Sequence, residues 1–331
     1  MMNKFYLINS LKGFLCIWIV LFHYTCKYYE VFDVHNDLIF SWTNGAGVAV
    51  PLFFMISGFL TQYSFIQKGK QISVQWLWGK LKRLYPTFLI SLFVIFIILK
   101  ITCVEILVPS VKNLVLNAAL LPVLGTKYLD GAHWYLFALL KFYIIYYAIA
   151  KIRAERKSVI YLALLAICLL AHYSDIKVLK MLTLTDGLLF LFTGCAVANA
   201  YMYRAKTHLY VAACYLISMI CLLQSVTSVI YILVFIFIIT PPHDTNPIYE
   251  DHVIVRILDY IGAKSFAWYL IHQYVGFVLI YRLSMNCGVK MELSIIISMI
   301  ITFVLSVCVT ETVGYLNHFF TIITIWKRKK Y

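Results

Sequence analysis

Long apolar blocks separated by short polar loops run the length of the chain. They fall near residues 8–28, 46–66, 86–107, 133–151, 158–173, 183–202, 208–223, 226–240, 262–282 and 291–315. Within them the apolar positions neither alternate nor keep to one stripe. Whole segments are apolar all round, the pattern of helices immersed in lipid rather than of barrel strands or surface helices. Most are long enough to cross a hydrocarbon core of ~30 Å, although 158–173, 208–223 and 226–240 are short for it. The pattern predicts an all-α integral membrane protein, a bundle of about ten transmembrane helices forming a single domain over residues 1–331. A stretch at 110–125 is expected to form a short re-entrant or interfacial helix. No cleavage site of small residues follows the first block, so it is expected to stay as the first helix.

Composition agrees. The chain is 63% hydrophobic and 13% charged, with a mean hydropathy of +0.87, whereas a soluble domain is about half apolar and a quarter charged. A net charge of +14 would suit nucleic acid, but the basic residues cluster in short loops, which is how membrane topology is encoded. No nucleic-acid partner is expected. The nine cysteines show no metal-ligand spacing, and six lie inside apolar blocks as small core hydrophobes, so no metal is expected.

The charges also set orientation. Lys68, Lys70, Lys80, Lys82 and Arg83 fall between the second and third blocks or at the start of the third. Lys151, Arg153, Arg156 and Lys157 precede the fifth, Arg204 and Lys206 the seventh, and Lys327 to Lys330 close the chain. Glu30, Asp33 and Asp37 mark an alternate loop. Threading ten helices puts every basic loop on one side, so both termini are expected in the cytoplasm. The loop at 241–264 (Asp244, Glu250, Asp251, Asp259) is acidic yet cytoplasmic in this threading. Acidic residues weigh little in the rule.

Against this apolar background, the ionisable residues inside the blocks are the candidates for chemistry. Lys12 and His23 stand eleven residues apart in the first block. That interval returns a helix almost to the same face and climbs about 16 Å. Lys80 and Arg83 share a helical face at the start of the third block and serve either as positive-inside charge or as a phosphate clamp. His133 opens the fourth helix, placed here at its outer end. Lys141 follows two turns later, too central to reach an interface easily. His272 lies in the ninth, expected a couple of turns in from the cytoplasmic face. Imidazole suits proton transfer from a hydroxyl near neutral pH. A lone histidine near a helix end is also an ordinary structural residue. Pro51, Ser57, Gly58 and Pro86 fit helix kinking and close packing, and no base adjacent to Ser57 marks it as a nucleophile.

In order along the chain, Asn9-Ser10-Leu11-Lys12 through His23, Pro51-Leu52-Phe53-Phe54 with Ser57-Gly58-Phe59, Lys80-x-x-Arg83-Leu84-x-Pro86, His133-Trp134-Tyr135-Leu136, Leu191-Phe192-Thr193-Gly194 and Ser265 through His272 form a recognisable series. With these motifs the chain resembles the membrane-bound acyltransferase 3 family, whose ten-helix members modify bacterial surface polysaccharides. Lysine stands at positions 12 and 80 where arginine is common, replacing a bidentate fork by a point charge. Asn9 stands where the family often has aspartate.

The resemblance implies an O-acyltransferase of the bacterial cytoplasmic membrane that moves an acetyl group from acetyl-CoA to a hydroxyl of a polysaccharide or its lipid-linked precursor. His23 would be the catalytic residue, general base or acyl carrier. Lys12, Lys80 and Arg83 would hold the CoA phosphates, and His133, Lys141 and His272 would serve the acceptor or orient other groups. The expected partners are acyl-CoA, a glycan or lipid-linked glycan, and membrane lipid. The competing expectation is a transporter or flippase for a glycan or glycolipid, although no inverted internal repeat is evident.

Overall fold

The computed structural model describes residues 6–33, 49–68, 72–124, 126–152, 154–183, 187–224, 226–239 and 252–328, and among them all regular structure is helical. The long helices are α1 (Tyr6–Phe22), α3 (Ala49–Lys68), α4 (Val74–Thr102), α6 (Trp134–Ala150), α7 (Ala154–Tyr173), α9 (Gly187–Tyr203), α10 (Lys206–Leu223), α11 (Val226–Ile239), α12 (Val253–Tyr281) and α13 (Met291–Arg328). Short pieces α2 (Tyr28–Phe32), α5 (Val111–Ala118) and α8 (Lys177–Leu182) lie between them. Each predicted apolar block falls on a helix. Among the described residues, six segments are long and apolar enough to cross a membrane: Leu7–Phe32, Ala49–Gln67, Val74–Thr102, Gly131–Ala150, Lys206–Leu223 and Met291–Phe319. The protein is a multi-pass helical membrane protein. Of the charges that set the expected orientation, Asp37, Lys70, Arg153, Asp244, Glu250, Asp251, Lys329 and Lys330 lie outside the described residues.

Three boundaries differ from expectation. Helix α4 starts at Val74 rather than near 86, α12 at Val253 rather than near 262, and α13 runs on to Arg328. In each case the hydrophobic block ends at charges while the helix continues. Long basic side chains lay their stems along the helix and keep it amphipathic. Lys80, for instance, holds its ammonium 5.2 Å from the Trp76 ring and 4.9 Å from the Tyr143 ring. The change matters for function: Lys80, Arg83 and Asp259 sit on rigid helices, not in loops.

Two close helix pairs make the frame, and glycine makes both of them. A side chain on Gly13 would run into the Leu258 carbonyl oxygen, and one on Gly262 into the Asn9 carbonyl oxygen, so α1 and α12 touch backbone to backbone. Gly58 and Gly194 bring α3 and α9 together the same way, against the carbonyls of Leu191 and Met55. Small residues at crossings are how helices associate in lipid, where no hydrophobic force draws them together. Both pairs are parallel. Asn9 and Gly13 meet Gly262, His23 meets His272 and Phe32 meets Tyr281; Gly58 meets Leu191 and Gln62 meets Asn199. Helix α9 is buried without a break from Gly187 to Ala200, as a helix apolar all round at the centre of a bundle should be. Polar bonds fasten the frame: Tyr146 donates to Gln62, and Gln62 to Asn199 at 2.7 Å, linking α6, α3 and α9.

The segment between α4 and α6 dips back into the protein. Its tip reaches Tyr85, whose hydroxyl donates to the Ala118 carbonyl at 2.9 Å. Tyr85 lies about 26 Å down α4 from Thr102, at 1.5 Å per residue. Irregular backbone at such depth persists only where protein satisfies it, and Asn117 does much of that. Its amide donates to the Asn113 and Lys127 carbonyls at 2.8 and 3.1 Å, and its oxygen accepts the Leu129 N–H at 3.1 Å. Buried Asp130 continues the clasp, accepting the N–H groups of Ala132 and, from α12, Tyr274. The short helix expected at 110–125 is thus α5, one limb of a re-entrant hairpin.

Candidate active site

Helices α1, α3, α4, α6 and α12 enclose a cavity of about 530 Å³. Asn9 and Lys12 come from α1, Ser57, Thr61 and Ser64 from α3, and Lys80 and Arg83 from α4. Tyr135 and Tyr143 belong to α6, and Ser265 and Tyr269 to α12. The three cations singled out in the sequence therefore wall one space, brought there by three-residue spacing on α4 and by the glycine crossing that seats Lys12 beside α12. Arg83 and Ser64 are exposed, so the cavity opens at their level.

Lys12 donates to the Asn9 side-chain oxygen at 3.0 Å. The charged groups that act on it are Arg83, which repels it, and Asp259 of α12, which attracts it. A carboxylate that acts on Lys12 thus lies on another helix, which sequence order cannot show. Tyr143 faces Thr61 and Arg83. Farther in, the Ser57 and Tyr135 hydroxyls lie 3.0 Å apart, and the Tyr135 and Tyr269 rings are 5.2 Å apart. Ser57 is thus paired with a phenol and has no base.

His23 is not among the residues that line this space. It stands beyond the inner end, where Tyr269, His272 and His23 follow one another. The Tyr269 and His272 rings are 5.4 Å apart and the His272 and His23 rings 4.9 Å. His272 is one helical turn past Tyr269 and well over halfway along α12, which begins nine residues before its apolar block. His23 opens a π-helical turn, His23–Lys27, in which the Tyr28 N–H bonds the His23 carbonyl. Thr25 takes the Leu21 carbonyl with its hydroxyl at 2.7 Å, which loosens the α-helical ladder at that point. Single π turns of this kind recur at functional sites. Tyr24 of the same turn fits against Gly276 and donates to the His272 carbonyl at 2.7 Å, fixing the turn to α12.

The histidines have assignable tautomers. His272 Nδ1 is 2.8 Å from the Tyr269 carbonyl, which can only accept, so Nδ1 carries the hydrogen and Nε2 keeps a lone pair. His133 Nε2 lies 3.3 Å from the Leu270 carbonyl and is the donor there. His272 Nε2, His133 Nδ1 and His23 Nδ1 are each buried with no hydrogen-bond partner, an expensive condition for a nitrogen. His133 does begin the helix after the hairpin, but packed against Phe88 at 5.3 Å. That is about 21 Å down α4 from Thr102, not at the bundle's outer end. Burial of the re-entrant segment carries it there. Lys141 is half-buried on α6 and outside the cavity wall.

Tyr143 was not singled out by sequence reasoning, and Asp259, Tyr135, Ser265 and Tyr269 entered it only as a loop charge or as members of motifs, with no role in the site. A signal for some of them exists: Gly262, Ser265, Tyr269 and His272 recur at three- and four-residue steps, one face of α12.

A five-helix cavity walled by three cations, with imidazoles beyond it, has the chemistry to attract an anion and to move a proton. The chain belongs to the acyltransferase 3 family: the family model for an acyltransferase domain matches residues 5–316. The protein is accordingly an acyltransferase with a multi-pass membrane domain. No curated protein and no solved structure matches it.

Proposed function

We propose that the protein is an O-acyltransferase of the bacterial cytoplasmic membrane that transfers acetyl from acetyl-CoA to a sugar hydroxyl of a surface polysaccharide or its lipid-linked precursor. The observation that carries this reading is the gathering of Lys12, Lys80 and Arg83 around one cavity whose inner end leads through Tyr269 to His272 and His23. The cations hold the CoA phosphates at the open end, with Arg83 as the one fork able to grip a phosphate through two bonds. The pantetheine arm runs inward along Ser57 and Tyr135 and presents the thioester toward Tyr269.

His23 removes the proton from the acceptor hydroxyl as its oxygen attacks the thioester carbonyl. The carbon–sulfur bond breaks, and the departing CoA thiolate takes that proton back from the imidazolium. His272 acts on His23 rather than on substrate. Its Nε2 lone pair is the natural acceptor for the His23 Nδ1–H, a small ring rotation or one bridging water joining the two. That bond leaves His23 Nε2 as the base.

Ten crossings with both termini in the cytoplasm complete the reading. The parallel directions of α1 with α12 and of α3 with α9 support it, since the first and ninth crossings, and the second and sixth, share a direction.

The test is chemical. Surface polysaccharide from cells lacking the gene, carrying it, and carrying His23→Ala is compared by NMR for O-acyl groups. Acyl signals that return only with the unaltered gene support the transfer. Unchanged acylation with polysaccharide missing from the surface would replace it by export.

A further inference from the structure

The π turn that carries His23 is tied to a third helix as well as to α12. Thr302, buried on α13, holds its hydroxyl oxygen 3.2 Å from the Tyr24 hydroxyl and 3.1 Å from Trp268 Nε1 of α12. An indole N–H can only donate, so Thr302 accepts from Trp268. The Tyr24 hydrogen is committed to the His272 carbonyl at 2.7 Å. In the contact between Tyr24 and Thr302 it is therefore Thr302 that donates. Its hydrogen is shared with the Ser298 carbonyl, one turn back in α13 at 2.8 Å.

Three bonds thus run in one direction, from Trp268 to Thr302, from Thr302 to Tyr24 and from Tyr24 to the His272 carbonyl. The chain leaves α12, crosses α13 and the π turn, and returns to α12 one helical turn beyond its start. Hydrogen bonds aligned this way polarise and strengthen one another in a low-dielectric interior. Gly276 shows that the place is shaped for the phenol, since a side chain there would meet the Tyr24 hydroxyl oxygen at 2.0 Å.

We infer that Thr302 is a positioning residue of the acyl-transfer site, which through Tyr24 holds the π turn so that His23 faces His272. The effect on rate rests on the acyl-transfer reading, whereas the effect on His23 rests on the geometry alone. Tyr24 follows His23 directly in the turn. A phenol no longer held by Thr302 lets the turn shift and the His23 ring leave its 4.9 Å approach to His272. Thr302, Trp268 and Tyr24 are not among the residues that line the donor cavity. Their loss should therefore change kcat and spare the KM for the donor.

Two readouts test it: ring ¹⁵N shifts of the histidines in the full chain in detergent, and CoA thiol released from acetyl-CoA by membranes holding equal amounts of folded protein. Thr302→Val keeps the branched shape and removes the hydroxyl; Thr302→Ser keeps the hydroxyl. In Thr302→Val the His23 signals should move while those of His208, on α10, stay. The kcat for CoA release should fall about 10- to 100-fold, the scale of a small misplacement, with KM for acetyl-CoA unchanged. Thr302→Ser should restore both. Tyr24→Phe leaves Trp268 its acceptor and should reproduce the Thr302→Val result, which covers a failure of that variant to fold. Unmoved His23 signals in Tyr24→Phe, or a Thr302→Ser protein as impaired as Thr302→Val, would overturn the proposal. No CoA release from the unaltered protein, with His23 signals that move in Thr302→Val and return in Thr302→Ser, would remove the acyl-transfer reading and leave the positioning role standing.

Discussion

His23 and His272 stand edge to face with ring centroids 4.9 Å apart, and each buries one nitrogen that has no hydrogen-bond partner. One of these nitrogens is an available acceptor, because the Tyr269 carbonyl claims the hydrogen of His272 Nδ1. The pairing separates a group that does chemistry from one that orients it, and the two roles predict different behaviour on substitution.

Replacing His23 by alanine removes the base and should lower acyl transfer about 10²- to 10⁴-fold, the usual contribution of such a group, with the amount of folded protein unchanged. Replacing His272 by phenylalanine keeps the bulk and removes the acceptor, and should lower kcat. His272→Gln, whose carbonyl oxygen can accept the same hydrogen bond, should recover part of the loss. The ¹⁵N shifts of His23 should show its tautomer mixture changing in His272→Phe and not in His272→Gln. Equal rates and equal shifts in both variants would leave His272 a packing residue.

The cavity cations should act on the donor more than on the chemical step. Arg83→Ala and Lys12→Ala each remove a charge-assisted contact worth about 1.5–3 kcal/mol. The expected result is a KM for the acyl donor raised ten- to a hundredfold with a smaller change in kcat. Arg83→Lys keeps the charge and loses the fork, so it should fall between. A loss confined to kcat would place these residues elsewhere in the reaction.

Glycine positions offer a paired test of the frame. Gly194→Val puts a side chain into the Met55 carbonyl and should destabilise the protein by at least about 1–3 kcal/mol, the cost of overpacking. Gly79→Ala, at a site with nothing within 4 Å of the added carbon, should be neutral or stabilising by up to about 1 kcal/mol in its helix. Thermal unfolding in detergent measures both.

Asn117→Leu deprives the Leu129 N–H and the Lys127 carbonyl of their partner in the hairpin. At about 1–3 kcal/mol for each buried group left unmet, the hairpin should loosen before the bundle does. Proteolysis between residues 103 and 133 should then precede global unfolding. Cleavage at the same rate as in the unaltered protein would show that Asn117 does not hold the two limbs.

Much of the site is written in the order of residues, because its ionisable groups stand out from an apolar background. Lys12 and His23 share a helix face through simple periodicity, and Lys80 and Arg83 likewise. What stays hidden depends on other helices. The π turn at His23 arises from Thr25 bonding Leu21 and from Tyr24 resting on Gly276, a contact made across 252 positions of sequence. Helices α4 and α12 outrun their apolar blocks because charged stems remain helical, and only that extension places Asp259 on the helix that packs against α1. The depth of His133 is a property of the hairpin, which reads as an ordinary loop until its tip meets Tyr85. The order His23, His272, Tyr269 from the interior to the cavity appears only when α1 and α12 lie side by side.

That pairing has a consequence for biosynthesis. Tyr24 and His272, joined through hydroxyl and carbonyl, are 248 residues apart. At 5–20 residues per second the ribosome needs roughly 12–50 s to make the second after the first. Throughout that time α1 is in the bilayer with His23 and a bare glycine face and without the helix that covers them. A nascent chain stopped before α12 holds four of the five cavity helices but neither Tyr269 nor His272, so the site is completed only near the end of translation.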